Sequence, residues 1–502
     1  MSAEKSYAQI LKASSLMGGA AGINMLLGMV RVKFAAILIG TTGVGLNASF
    51  ISLQGIIGTL AGLGIQSSAV RDIAVAVGKG DQQAIGRAVL TLRRICWLTG
   101  LVGMAAMLLL SPLLSQFTFG HSGYAIDIAV LSVAILFANL SGGQMALIQG
   151  TRRIGFMARA NVIGAALGAI AAIGFYATLG LRGVVPTLVT VAAAQLALSW
   201  YFARQVPVPK VELSWRQTFA EASDMVKLGV MMMTSGLMTS AVNYLTVTLI
   251  TQHEGVQAVG LYSAAFALSG MFVGFVLGAM GADYYPRLTG VASDKAAIRR
   301  MVNEQTEIGL LLALPGLLAT MAMAPWILLI FYSREFLGAV EMLQWFILGC
   351  MGRVISWPLG FVILALGKGR WFLLTETSFN ILHVAFIALG LKLLGIEGVA
   401  FAFFVMYLGY ILAVYLVCRH LIDFAWSTEC SRIALYTLPI LGASFFACRN
   451  LSLWPASFVG LALTLVVSGF CLRGLATRVG PDHRIVRAIA RLPGAKSILL
   501  PQ

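Results

Sequence analysis

The residues of this sequence that could do chemistry are the few charged and amide side chains set inside long apolar runs. The first run carries Asn24, Gly28, Arg31 and Ala35 at i, i+4, i+7 and i+11, a polar and small stripe along one helix face. Lys33 falls about 200° round the helix from Arg31, so the two cations cannot point the same way. An ionised side chain in hydrocarbon costs several kcal/mol and marks an ion or substrate path. A guanidinium also matches phosphate oxygens two at a time, which an ammonium does not. We expect Arg31 to face an internal cleft and Lys33 to snorkel outward. The same spacing also allows both to reach the outer interface, a few turns away.

Later runs add further candidates. Arg353 lies near the middle of the run 339–366, on a face with Gly349, Ser356 and Gly360. The next run carries Glu376, Asn380 and His383 at i, i+4 and i+7. Arg353 and His383 lie at similar depth, roughly 21 Å of helix from the turn at Gly367. This set reads either as a cationic lining with a proton-responsive neighbour or as a structural Arg–Glu or Arg–Asn tie. Ser235, Thr239, Asn243 and Thr246 form a polar face without charge, and Gly58 with Gly62 a small-residue stripe suited to close helix packing. The substrate-binding candidates are therefore Arg31, Asn24, Arg353, Asn243 and Asn380. Glu376, His383 and Asp127 are the candidate coupling or proton-responsive groups, with H+ or Na+ as the ion. The first two runs contain no acid. A cationic cargo would need a buried carboxylate, whereas an anionic one calls for arginine.

The elements that must position these groups follow from composition. Of 502 residues, 59% are hydrophobic and 11% charged, against about a quarter charged in ordinary soluble domains. A soluble enzyme, a disordered chain and a disulfide-rich module are excluded, and the six cysteines lie scattered without metal spacing. Fourteen stretches, from 13–39 to 454–472, are long enough to cross the hydrocarbon. Pro439 and Arg449 interrupt the thirteenth. The fold expected is an all-α polytopic membrane protein of about 14 transmembrane helices. Most of the 35 Lys and Arg residues fall on alternate ends of these stretches, which puts both termini in the cytoplasm. The N-terminus reads as an uncleaved first span. In the basic tail, Arg484, Arg487 and Arg491 share one helical face and Ile485, Ile489 and Leu492 the other. That suits a helix on an anionic leaflet or simply a solvated positive end.

The chain also repeats itself. Val44-Gly45-Leu46 recurs as Val259-Gly260-Leu261, and Leu179-Gly180-Leu181-x-Gly183-Val184 as Leu394-Gly395-Ile396-x-Gly398-Val399, both at a shift of 215. Asp81-x-x-Ala84-Ile85-x-Arg87 recurs as Asp294-x-x-Ala297-Ile298-x-Arg300 at 213. Six spans per copy give parallel repeats around a central cleft, the plan of an alternating-access carrier. The organisation expected is a six-helix lobe over 1–204, a cytoplasmic linker over 205–227 and a second lobe over 228–425. An extra helix pair over 426–473 and a basic tail over 474–502 complete it. No G-x-x-x-x-G-K-[ST] or H-E-x-x-H occurs, and Gly78-Lys79-Gly80 and Gly367-Lys368-Gly369 sit at span ends where the loop rule explains them. We expect a secondary-type transporter rather than an enzyme, with no ATPase motif, no cofactor and no metal.

Arg31-x-Lys33-x(6)-Gly40-x-x-Gly43-x-Gly45-Leu46, with Gly64-Ile65 and Arg71, resembles the first two spans of bacterial polysaccharide flippases. Asp283-Tyr284-Tyr285-Pro286-Arg287-Leu288 is similar to the matching point of their second lobe. These are the O-antigen and exopolysaccharide translocases of the multidrug/oligosaccharidyl-lipid/polysaccharide exporter superfamily. The resemblance covers roughly residues 5–425. It implies a lipid-linked oligosaccharide on undecaprenyl diphosphate, moved from the cytoplasmic to the periplasmic leaflet of the bacterial inner membrane during lipopolysaccharide or exopolysaccharide synthesis. Arg31 and Arg353 would neutralise the diphosphate, and polysaccharide polymerase or assembly proteins would be partners, with no role for nucleic acid. Many members have 12 spans; the extra pair here is a feature shared with the 14-span peptidoglycan-precursor flippases. That branch and an ion-coupled multidrug exporter, with Asp127 or Glu376 as its acid, are the alternatives.

Overall fold

The computed structural model describes residues 3–479, and every regular element among them is helical. The first helices are α1 (Ala3–Leu38), α2 (Gly40–Gly62), α3 (Ile65–Lys79), α4 (Gln82–Leu109), α5 (Ser111–Phe119) and α6 (Ala125–Gly150). Then come α7 (Ile154–Leu179), α8 (Val184–Ala203), α9 (Trp215–Glu254), α10 (Val256–Gly290), α11 (Lys295–Ala322) and α12 (Ala324–Phe331). The chain continues with α13 (Val340–Ala365), α14 (Gly369–Leu394), α15 (Glu397–Ile422), α16 (Thr428–Asn450) and α17 (Leu453–Val479). Thirteen described stretches are long and apolar enough to cross a membrane, and one, Ile154–Ala203, holds both α7 and α8. Each of the fourteen expected runs falls on a long helix, with 95–115 and 307–330 continuing past its end into the short α5 and α12. Pro439 sits inside α16 without ending it. The basic tail, with Arg484, Arg487 and Arg491, lies outside the described residues.

Two features differ from the hydropathy pattern. Helix α3 was hidden because it is amphipathic rather than apolar: Ile65, Ala69, Ile73 and Ala76 are buried along one face, while Arg71 is exposed. In the stretch 205–227, expected as a linker, α9 already begins at Trp215. Ser214 and Gln217 form a capping box there, satisfying two orphan backbone donors. Arg94 fastens this start to α4: it lies 4.8 Å over the Trp215 ring and donates to the Leu213 carbonyl at 2.9 Å and to Thr218 Oγ1 at 2.7 Å.

The chain divides into two compact units, one comprising the chain up to Gly260 with Phe331–Ser333, the other Leu261–Ile330 with the chain from Arg334 onward. In the first unit α8 packs against both α6 and α7; in the second α15 packs against both α13 and α14. The bounds of α6 and α13, and of α7 and α14, differ by 215, the shift read from the sequence. The junctions repeat as well. Gly180 and Gly395 both adopt left-handed φ, +57° and +60°. Gly183 lies against the Phe175 carbonyl as Gly398 lies against that of Gly390. Asp81 and Asp294 both cap the helix that follows. Inside the first unit, Gly45 abuts the Val256 carbonyl and Gly260 abuts that of Thr41, so repeat-related residues meet in a reciprocal contact only glycine permits.

Within the second unit, α16 and α17 are held by charge at both ends. Glu307 of α11, 9% exposed, accepts from Arg478 Nε at 2.8 Å and from Ser427 Oγ at 2.8 Å. At the other end Arg449 Nη2 reaches Glu341 at 2.6 Å and Glu397 at 3.3 Å. Arg449, which breaks the apolar run, is thus the fastening of α16 to α13 and α15. All six cysteines are free thiols, and Cys448 alone among them is not fully buried.

Candidate functional site

Helix α2 brings Ile51, Gln54, Gly55, Gly58 and Gly62 onto neighbouring turns. A Cβ on Gly55 would meet nothing within 4 Å, and one on Gly58 only an Ile135 methyl at 3.9 Å. These glycines therefore leave open space rather than closing a helix contact. The space is a cavity of about 620 Å³ in the first unit, lined by that face of α2, by Gly64, Gln66 and Ser67, and by Ile135, Ala138, Asn139 and Met233. Leu63 and Gly64, at φ 47° and 63°, turn the chain sharply from α2 into α3 and so deliver Gln66 to the wall. A left-handed leucine costs roughly 1–2 kcal/mol. At Gly64 even that is closed to other residues, because a Cβ would strike the Gly229 carbonyl.

A second cavity of about 510 Å³ adjoins the first, sharing Ile51, Gln54 and Ala138 with it. Arg31 of α1 lines it, with Ser141, Gly142 and Met145 of α6, Gly164 and Gly168 of α7, and Leu188, Ala192 and Gln195 of α8. Gln195 lies over Gly164 and Gln66 over Gly142, each amide occupying the place a side chain would take. Among the described residues no ion pair includes Arg31. The side-chain amides of Gln54, Gln66 and Gln195 likewise make no hydrogen bond there. No Asp or Glu lines either cavity. One guanidinium and a set of unengaged amides suit an anion joined to a group rich in hydroxyls.

The other expected residues take different places. Asn24 does not line these cavities, and its Oδ1 is buried without a partner. Lys33 donates to the Tyr332 carbonyl at 2.5 Å, satisfied by backbone within the first unit instead of by the membrane surface. Asn243 is exposed on α9 with Ser235 and Thr239, while Ser240 beside them meets Thr59 at 3.3 Å. Asp127 sits in the first turn of α6, where a negative charge complements the helix N-terminus.

In the second unit, Arg353 is exposed on α13 and belongs to no ion pair among the described residues. Glu376 accepts from Tyr410 at 3.2 Å, and Asn380 donates to the Glu376 carbonyl at 2.8 Å. The His383 ring lies 5.9 Å from that of Phe403. Glu376 and Asn380 are thus brought together, with Tyr410 in place of the expected arginine tie. Sequence reasoning missed Gln54, Gln66, Asn139 and Gln195. Amides within or beside apolar runs were the available signal, but only folding shows that they converge.

Comparisons with known proteins agree with this architecture. The chain is 23% identical over 400 residues to the lipid III flippase of Escherichia coli K12, covering 76% of this chain and 92% of that protein. The Shigella flexneri lipid III flippase matches to the same extent. Among solved structures, the inward closed conformation of the lipid II flippase MurJ superposes with a TM-score of 0.70 at 14% identity, covering 92% of this chain and 99% of that one. An inward-facing multidrug resistance transporter of the MATE family gives 0.67 at 15%, covering 80% and 94%. At these identities the structures establish the fold alone. A family described as polysaccharide biosynthesis proteins matches residues 45–341, more than half of the sequence, and the chain belongs to it.

Proposed function

We propose that this protein is a flippase for an oligosaccharide carried on undecaprenyl diphosphate, an O-antigen or exopolysaccharide repeat unit. It moves the cargo from the cytoplasmic to the periplasmic leaflet of a bacterial inner membrane, by alternating exposure of its internal cavities. Both termini lie in the cytoplasm. The observation that carries this reading is Arg31: a guanidinium on an intramembrane helix, without an acidic partner among the described residues, lining a cavity with free amides. A diphosphate supplies the missing anion and takes up the guanidinium fork. The family match and the lipid III flippase relatives support the same cargo class. An organic cation is disfavoured, because no carboxylate lines the cavities to replace its hydration.

Export of an anion from a negative-inside cell is favoured by about 2.3 kcal/mol per charge per 100 mV. The potential can therefore drive the step, and an ion gradient acting through Glu376, His383 or Asp127 would add to it. The test is Arg31→Ala in a strain that depends on this protein for surface polysaccharide. We expect lipid-linked precursor to accumulate and surface glycan to disappear at normal protein level, with Arg31→Lys restoring only part. Wild-type glycan output from Arg31→Ala would overturn the assignment.

A further inference from the structure

The two cavities of the first unit differ in chemistry, and the difference bears on what adjoins the diphosphate. The Arg31 cavity holds a charge; the one between α2, α3 and α6 holds none, since no Lys, Arg, Asp or Glu lines it. Its polar groups are amides and hydroxyls, chiefly Gln54, Gln66, Asn139 and Thr59, set among Ile135, Met233 and bare glycine backbone. Gln54 borders both cavities, so a group bound at Arg31 lies beside the uncharged one. At about 620 Å³ the volume falls within the roughly 300–1,000 Å³ range of small-ligand sites.

We infer that the α2–α3–α6 cavity receives the sugar joined to the diphosphate and selects an uncharged one, with Gln54, Gln66 and Asn139 as specificity-determining side chains. An amide offers donors and acceptors together and so matches hydroxyl, ring-oxygen and acylamino groups. It does not repay the desolvation of a carboxylate or an amine, for which this wall holds no counter-charge. Gly142 sets part of the geometry, since a Cβ there would strike the Gln66 amide lying against α6; Asn139 donates Nδ2 to the Ile135 carbonyl at 3.4 Å, which leaves Oδ1 as its acceptor. A site built on hydrogen bonds to a substrate discriminates strongly against a substrate that leaves them unmade. This inference rests on the flippase reading of Arg31 and goes on to name the chemistry of the adjoining sugar.

The experiment uses the purified full-length protein in detergent and three probes: a short-chain polyprenyl diphosphate, the same lipid bearing one uncharged hexose, and the same lipid bearing one uronic acid. For the wild type the hexose probe is expected to bind at least about tenfold tighter than the bare diphosphate, and the uronic acid probe no tighter than the bare one. In Gln66→Ala and Asn139→Ala the ratio of hexose to bare affinity falls to about one. Gln66→Glu, which keeps size and packing, gives the same loss and guards against a folding artefact, with thermal unfolding as the check. A full hexose gain in these variants, or a uronic acid bound as tightly as the hexose, overturns the sugar inference and leaves the diphosphate site standing. Wild-type affinity of Arg31→Ala for all three probes would instead overturn the flippase reading beneath it.

Discussion

The Arg31 cavity of the first unit and the Arg353 neighbourhood of the second are the same place in two copies of one template. At the 215-residue shift, Gly164, Gly168, Leu188, Ala192 and Gln195 correspond to Phe379, His383, Phe403, Tyr407 and Tyr410. The first set lines open space. The second set packs on itself: Phe379 meets Tyr410 at 5.1 Å between centroids, Phe403 meets Tyr407 at 4.9 Å, and His383 meets Phe403 at 5.9 Å. Gly349 and Gly352 of α13 admit Phe403 and Tyr407 where larger residues would exclude them. Duplication supplied two frames. Small residues and amides kept one hollow, and aromatic rings filled the other, beside which Arg353 stands exposed on α13.

If the hollow copy carries the cargo, the two arginines are unequal, although the sequence presents them alike. Removing one partner of a desolvated, hydrogen-bonded charge pair costs about 2–5 kcal/mol, or about 30-fold and upward in rate or affinity. We therefore expect Arg31→Ala to reduce translocation of a fluorescent lipid-linked glycan into proteoliposomes by at least about that factor. Arg353→Ala should reduce it less, by about tenfold or under. Equal losses would mean that both copies grip the diphosphate and that the two units do not differ in cargo contact.

The next test exchanges the fillings. Gln195→Tyr carries the second unit's residue into the first, where the ring enters the space over Gly164 and removes an amide from the wall. Translocation should fall by about tenfold through lost volume and lost hydrogen bonds, each worth about 1 kcal/mol or more. Fold stability should change little, because the ring enters an existing cavity. The reciprocal Tyr410→Gln should act on stability instead. It opens the Phe379 contact and withdraws the hydroxyl from Glu376. Thermal unfolding should report a loss of about 1–3 kcal/mol. A stable Tyr410→Gln that translocates poorly would assign cargo contact to the second unit.

This contrast was only half legible in the sequence. Helix α13 runs 340–365 against an expected 339–366, because an apolar run bounded by turns dictates its own span. The shift of 215 was legible too, since glycine-dependent junctions such as Gly183 and Gly398 tolerate no other residue. Arg31 stood out because a lone cation in hydrocarbon is costly. The amides did not. Gln54, Asn139 and Gln195 lie on three helices far apart in sequence, and their meaning depends on Gln54 meeting Asn139 in one cavity and Gln195 in the adjoining one. The same limit misplaced Asn24 and Asn243: periodicity gives a face but not what the face meets. Lys33 could not be read at all, since its acceptor is a carbonyl 299 residues away.

The smallest expected effect is the most discriminating about coupling. Glu376 accepts one hydrogen bond from Tyr410 and, among the described residues, forms no ion pair. Glutamine keeps the accepting oxygen and removes the ability to bind a proton. If Glu376 only anchors Tyr410 in the filled copy, Glu376→Gln leaves translocation within about twofold of wild type, the scale of a substitution that breaks no buried network. The dependence of rate on pH would also stay unchanged. If instead the filled copy has become the coupling device, the same change abolishes translocation driven by a proton gradient and flattens the pH profile, while binding of the bare diphosphate lipid at Arg31 persists. Measuring rate and binding on one preparation across pH 5–8 separates the outcomes. We expect the first, because the carboxylate's observed role is to accept a hydrogen bond, which the amide oxygen performs equally well.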